Sequence, residues 1–167
     1  MMSHAPNPIQ EHIAARTAKL AEAYNNKDIS TALTMLVDNG LDYSDYGTSA
    51  PLSRRHHIAS ESPFPPLTRF SGVNALNMTK AAFATFLHSI FDSLEYLHLK
   101  TIAINGTKDL TPWQWEWEFV KKAGGKTGFE DLDKGDAGQM LRVRGCSVTW
   151  WNEEDKVVKN CDYACFV

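Results

Sequence analysis

The sequence predicts an α+β domain whose N-terminal helices pack on a curved antiparallel sheet around an apolar pocket. Three observations predict it. Apolar residues recur at helical spacing up to Leu94, they alternate with a period of two from Glu95 onward, and turn signals divide that second half into hairpin-sized pieces.

The elements follow in order. Ile9, Ile13, Leu20 and Tyr24 fall on one side of a helical wheel, with Ala14 and Ala21 alongside, and Asn25-Asn26 should end that helix. Asp28 is placed to cap a second helix carrying Ile29, Leu33, Leu36 and Val37, which Asn39-Gly40 stops. Leu41 to Gly47 reads as a short strand. The next segment, Thr48 to Asn77, is about 30 residues rich in Ser and Pro with no clear period. Loops of that length in a compact domain often act as lids, and its Phe64-Pro65-Pro66-Leu67 run would give apolar cover. Thr79 is a good N-cap for a helix whose Phe83, Phe86, Leu87, Ile90, Phe91 and Leu94 form one apolar face. Strands are expected near Tyr96–Ile104, Trp113–Lys121, Met140–Trp151 and Lys156–Phe166, separated by Asn105-Gly106, Ala123-Gly124-Gly125 and Asn152 to Asp155. Glu130 to Asp136 reads as a solvated acidic loop. No repeat or second domain is evident, so residues 1–167 are expected to form a single domain.

Composition narrows the function classes. A 43% apolar content suits a globular core, and a formal charge of −3 gives no electrostatic reason to bind nucleic acid or an anionic membrane. No run approaches the roughly 18 apolar residues of a membrane helix. Met1 to Gln10 is polar and proline-containing, without the apolar stretch of a secretory signal, which leads to the expectation of a cytoplasmic protein. Cys146, Cys161 and Cys165 have no histidine nearby to complete a zinc set and read as inert buried thiols. No metal site and no cofactor are expected.

Strand alternation puts Trp113, Trp115, Trp117 and Phe119 on one face and Gln114, Glu116 and Glu118 on the other. The indoles should face inward, filling the core or walling a cavity for a flat apolar ligand. The glutamates should face solvent or a second subunit. Tyr43 and Asp45 share parity, so their side chains should point the same way. A carboxylate facing an apolar cavity loses hydration, so its pKa rises toward neutrality and it becomes useful as an acid or base. His98 has ambiguous parity at a strand start and reads either as a base or as a packing histidine. His88 reads as structural or exposed, and His56 and His57 as solvated unless their loop closes over an anionic substrate.

The order helix, helix, strand, helix, four long strands resembles the NTF2-like superfamily, specifically its SnoaL-like branch. Ala23-Tyr24-Asn25-Asn26-Lys27-Asp28 looks like the end of that family's first helix, Tyr43-Ser44-Asp45 like its first-strand motif, Gly145 through Val158 like its strand-turn-strand, and Cys161-Asp162-Tyr163 like its last-strand Arg-Asp-Tyr. The resemblance implies a cone-shaped fold, cofactor-free chemistry and a homodimer formed through the outer sheet face. It also implies site residues. Limonene-type epoxide hydrolases have a Tyr and an Asn where Tyr43 and Asp45 stand, and a last-strand catalytic Asp where Asp162 stands. Their middle-strand Arg-x-Asp has no counterpart, since Trp115 and Trp117 occupy that region. Scytalone dehydratase has a Tyr-Asp pair where this chain has Tyr24-Asn25, a Tyr matching Tyr43, and a histidine in the region of His98. The SnoaL cyclases pair the last-strand Asp with a histidine that is absent from Arg144-Gly145-Cys146-Ser147-Val148.

Two function classes follow. The first is a cofactor-independent enzyme that isomerises, cyclises or dehydrates a polycyclic, polyketide- or terpenoid-like molecule in secondary metabolism. Its acid–base groups would come from Asp162, Asp45, Tyr43 and His98, and its binding wall from Tyr24, Trp115, Trp117, Phe86 and Cys146. The second is a non-catalytic binding or interaction module on the same fold. The partner expected in the first case is an apolar small molecule, with no nucleic acid and no membrane.

Overall fold

The structure, a computed structural model, describes residues 7–49, 73–127, 133 and 136–166; over 45–49, 73–77 and 165–166 the description is confined to the backbone.

Capping residues set the helices. Asn7 accepts a hydrogen bond from the Ile9 amide and Pro8 occupies the first turn of α1 (Pro8–Asn25), an arrangement that satisfies an orphan donor where proline costs nothing. Ile13, Thr17, Leu20 and Ala21 form its buried stripe, while Ile9 at its start is exposed. The chain then turns through Lys27, whose φ of 53° is left-handed and whose ammonium reaches the carbonyls of Phe91 (3.2 Å) and Leu94 (2.5 Å). Asp28 caps α2 (Ile29–Thr34) by accepting from the Thr31 amide at 2.9 Å. This helix is shorter than its apolar spacing suggests. Leu36 and Val37 leave it because Val37 donates to the Val157 carbonyl and Val157 to the Met35 carbonyl, so the sheet captures the backbone before another turn forms. Thr79 caps α3 (Lys80–Ser93), accepting from the Ala82 amide at 3.2 Å, and Phe83, Leu87, Ile90 and Phe91 form its buried face.

The remaining elements are β1 (Leu41–Ser49), β2 (Val73–Met78), β3 (Leu94–Ile104), β4 (Leu110–Lys121), β5 (Met140–Trp151) and β6 (Val157–Phe166). They form a curved, unclosed sheet in the order β2-β1-β6-β5-β4-β3. Every neighbouring pair is antiparallel except β1 and β6, which run parallel, an arrangement that needs a long connection and has one in the intervening chain. β2 occupies the end of the segment whose sequence has no strand period. Its six residues are placed by backbone pairing to the free edge of β1 rather than by apolar alternation. The part of that segment at 50–72, including the Phe64-Pro65-Pro66-Leu67 run, lies outside the described residues. At the opposite edge of the sheet the Asn25 side chain accepts from the Leu99 amide (2.5 Å) and donates to its carbonyl (3.0 Å), so α1 covers part of the exposed edge of β3.

The core lies between the helices and the inner face, where Leu97, Leu99, Trp113, Trp115, Phe119 and Val143 are buried. Arg16 crosses from α1 onto the same face. Its guanidinium lies 4.0 Å from the Trp151 ring centroid and donates to Asp155 (3.0 Å), Thr111 Oγ1 (2.8 Å) and the Lys108 carbonyl (2.7 Å). Burial pulls its pKa down, and the Asp155 carboxylate counteracts that pull. The outer face carries Glu116 paired with Arg144 (2.6 Å) and Glu118 paired with Arg142 (2.5 Å), as strand parity requires. Among the described residues no helix is long and apolar enough to cross a membrane.

Candidate functional site

Alternation along β4 turns Trp113, Trp115 and Trp117 toward the helices. Facing them, α3 contributes Phe86, Leu87, Ile90 and Phe91, and α1 contributes Tyr24. Tyr43 from β1, Ser147 from β5 and Asp162 from β6 complete a cavity of about 510 Å³, mouth included. A second recess of about 390 Å³ adjoins it and shares Tyr24, Tyr43, Trp113, Ser147 and Asp162. Asp162 therefore stands where the two spaces meet. Tyr43 is fixed by its neighbours, its ring centroid 5.3 Å from both Phe83 and Phe86.

Asp162 has three donors. Tyr43 Oη donates to Oδ2 at 2.9 Å, Asn160 Nδ2 donates to Oδ1 at 2.8 Å, and the Ser147 hydroxyl is the third. Each donor is itself oriented. Trp115 Nε1 donates to Ser147 Oγ at 2.8 Å, and Thr149 Oγ1 donates to Asn160 Oδ1 at 2.7 Å. These hydrogen bonds favour the ionised carboxylate, while burial favours the acid. Burial dominates, and the Asp162 carboxyl sits above the usual carboxylate range. No lysine, arginine or histidine is among the described residues lining the cavity, so no cation opposes that rise. Burial, reinforced by the Asp162 charge, likewise pushes the Tyr24 phenol upward, so it stays a neutral donor. A carboxyl of this kind can deliver a proton in one step and take one up in another.

The indole N–H groups differ. Trp113 Nε1 donates to Thr101 Oγ1 at 3.2 Å and Trp115 Nε1 to Ser147, whereas Trp117 Nε1 is buried with no acceptor among the described residues. A buried unmade hydrogen bond costs about 1–3 kcal/mol.

Tyr43, Asp162, Tyr24, Phe86, Trp115 and Trp117 thus line one space. Asp45 pairs with Asp162 in the β1–β6 register, and its side chain lies outside the described residues. Two expected site residues lie elsewhere. His98 is exposed on the outer face opposite Glu118. The register of β3 shifts between Leu94 and Tyr96, and the extra residue transfers the inward phase from Leu94 to Leu97 and Leu99. Cys146 pairs with Gln114 and Tyr163 on the outer face, beside Ile102 and Arg144. Alternation along β5 runs unbroken through the buried Trp151, Thr149, Ser147 and Val143, so Cys146 falls on the opposite face. The extra residue lies on β6, where Trp151 pairs with Val157 but Trp150 with Lys159, and it brings Asp162 opposite Ser147. Burial keeps the Cys146 and Cys161 thiols protonated.

Sequence reasoning missed Ser147 and Asn160, the supports of Asp162. Asn160 was within reach, since it lies two residues before Asp162 and so shares its face. Ser147 required knowledge of the register shift. Among the described residues no three His, Cys, Asp or Glu side chains are grouped to hold a metal ion.

No family model matches the chain. A curated relative, the cyclase AurE of Calcarisporium arbuscula, is 26% identical over 90 residues, which is 54% of this chain and 59% of that protein. Among solved structures, a protein assigned to the SnoaL-like polyketide cyclases from Jannaschia sp. CCS1 superimposes with a TM-score of 0.63 over 97% of this chain and 91% of its own, at 10% identity. A Δ5-3-ketosteroid isomerase from Mycobacterium sp. superimposes with a TM-score of 0.56 over 93% of this chain and 98% of its own, at 15% identity.

Proposed function

From the SnoaL-like form of the NTF2-like fold that this chain adopts, we propose that the protein is a cofactor-independent enzyme that isomerises, cyclises or dehydrates a neutral polycyclic small molecule of polyketide or terpenoid type. The observation that carries the reading is Asp162, a buried carboxyl raised above its ordinary range on the wall of an aromatic cavity. Its ionised form removes a proton from a carbon next to a carbonyl or from a hydroxyl, and its protonated form returns one elsewhere on the same molecule. Tyr43, Asn160 and Ser147 hold the carboxyl in one orientation through both steps, so little reorganisation accompanies proton transfer. Aromatic walls exclude water and strengthen each polar contact. Asp45, next to Asp162 in register, is the second acid–base candidate.

A curated cyclase among the relatives supports the reaction class; that protein is spanned only in part, so the assignment rests on the site. A second reading, a non-catalytic binding module, has one specific observation in its favour: Trp113 and Trp115 are 4% and 8% exposed and fill much of the inner face.

A carbon acid separates the two. With 2-tetralone, a neutral bicyclic ketone, in deuterated buffer, the wild-type protein should accelerate deuterium uptake at the α-carbons and Asp162→Asn should abolish most of that acceleration. Binding of 2-tetralone with no acceleration by the wild-type protein supports the module and removes the enzyme reading.

A further inference from the structure

The two spaces that meet at Asp162 have different walls. The residues that line only the main cavity are mostly aromatic: Phe86, Phe91, Trp115 and Trp117. Those that line only the adjoining recess are mostly branched aliphatics, Leu20, Leu36, Leu41 and Val157, with Phe83 as the aromatic exception. Leu36 follows α2 and is bridged to Val157 at the start of β6, and Leu41 opens β1. The recess is thus built where α2 meets the sheet, and the cavity where α3 faces the indoles. Thr149 and Asn160, the polar residues particular to the recess, are engaged: Thr149 Oγ1 donates to Asn160 Oδ1 (2.7 Å), and Asn160 Nδ2 donates to Asp162 Oδ1 (2.8 Å). No lysine, arginine or histidine is among the described residues lining the recess. A charged group entering it would lose hydration with no counter-charge in return, whereas a saturated hydrocarbon gains by leaving water. Tyr24, Tyr43, Trp113, Ser147 and Asp162 wall both spaces, so no more than the thickness of one side chain separates them.

We propose that the recess is a second subsite, which takes a saturated hydrocarbon chain of a ligand whose flat, unsaturated part occupies the aromatic cavity. This rests on the reading of the cavity as a small-molecule site and names the second half of what that site selects. The flat part gains ring contacts against the Phe and Trp walls, and the chain gains burial against Leu20, Leu36, Leu41 and Val157. The ligand then spans Asp162, its rings on one side and its chain on the other. The chain also sets which carbon stands at the carboxyl, because sliding the ligand along the cavity would draw the chain out of the recess.

Three ketones with one ring system test it: 2-acetylnaphthalene, 2-butanoylnaphthalene, whose chain is longer, and 4-(2-naphthyl)-4-oxobutanoate, whose chain ends in a carboxylate. Isothermal titration of the wild-type protein should show the butanoyl compound binding about tenfold or more tighter than the acetyl compound, since each buried CH₂ is worth about 0.8 kcal/mol, about fourfold. The carboxylate-ended compound should bind no tighter than the acetyl compound. With assigned 13C-labelled methyl groups, the acetyl compound should move the resonances of Leu87, Ile90 and Leu99, which line only the main cavity. The butanoyl compound should in addition move those of Leu20, Leu36, Leu41 and Val157, which line only the recess. None of these measurements needs a variant to fold. Equal affinity for the acetyl and butanoyl compounds, a gain in affinity with the recess methyls unmoved, tighter binding of the carboxylate-ended compound, or no binding of any of the three at their solubility limits overturns the proposal. The readout is independent of turnover. If 2-tetralone exchanges no faster with the wild-type protein while the gain and the methyl shifts hold, the acid–base reading falls and the subsite stands. If exchange is accelerated and the recess methyls stay unmoved, the subsite falls and the acid–base reading stands.

Discussion

Two ring atoms of Trp115, Cζ2 and Cη2, lie 2.3 and 2.4 Å from where a β-carbon on Gly145 would stand. The indole is laid across β5 at the one position in that stretch that has no side chain. From there its N–H reaches Ser147, and Ser147 in turn donates to Asp162. A glycine with an ordinary backbone thus fixes the orientation of a carboxyl one strand away.

Gly145→Ala should therefore move Trp115. Overpacking of this kind costs typically about 1–3 kcal/mol, and urea denaturation followed by circular dichroism measures it. The indole fluorescence should change with it, because the Trp115 hydrogen bond to Ser147 is lost. Stability within about 0.5 kcal/mol of wild type, with an unchanged emission spectrum, would show that the ring has room to spare.

Asp162→Asn keeps the shape of the side chain and removes its titration. General acid–base steps contribute about 10²- to 10⁴-fold, and exchange on 2-tetralone should fall by that order. The same variant has a stability signature. The folded carboxyl holds its proton above the unfolded value of about 3.9, so between the two pKa values the native state binds more protons and wild-type stability falls as pH rises. The Tm of Asp162→Asn minus that of wild type should increase with pH from about 4 and level off above the folded pKa. A difference that is flat from pH 3 to 9 contradicts burial of the carboxyl.

Tyr43→Phe removes a donor that favours the ionised form of Asp162. The Asp162 pKa should rise further, and the acid limb of the pH–rate profile should move to higher pH. The loss in maximal rate should be smaller than for Asp162→Asn, because one hydrogen bond to a charged group is worth about 1.5–3 kcal/mol. An acid limb displaced to lower pH would mean that Tyr43 does not act on Asp162 as the geometry indicates.

His98→Ala and Cys146→Ala should leave exchange on 2-tetralone within about twofold of wild type, since surface changes away from a site usually stay within about 0.5 kcal/mol. A hundredfold loss in either would contradict the strand registers that put both residues on the outer face.

We propose that this outer face pairs with a second copy of the chain. Glu116, Glu118, Arg142 and Arg144 place both charge signs there, while Tyr163 and Ile102 are about half exposed beside them. A two-fold axis can match such a surface with itself. Sedimentation equilibrium at micromolar concentration should give the mass of two chains, and Tyr163→Glu should shift it toward one. A single-chain mass for the wild-type protein at that concentration rules the pairing out.

The sequence by itself determined which segments are helical, where they are capped, that the second half is a set of hairpins, and which face of β4 holds the indoles. These depend on local chemistry: the Asp28 and Thr79 caps, the apolar stripe of α3, and the strict alternation from Trp113 to Phe119. The resemblance to the SnoaL-like proteins also singled out Asp162 and Tyr24 and, with strand parity, Tyr43. Only the tertiary structure decided which residues stand around Asp162. An inserted residue between Leu94 and Tyr96 turned His98 outward, and an extra residue on β6, between Val157 and Lys159, brought Asp162 opposite Ser147. β2 and the parallel placement of β1 beside β6 were also decided there, by backbone pairing along free strand edges. The physical reason is the period of two. A single extra residue reverses every side chain that follows it, and whether a strand takes one depends on the hydrogen bonds of the partner strand, which local sequence does not record.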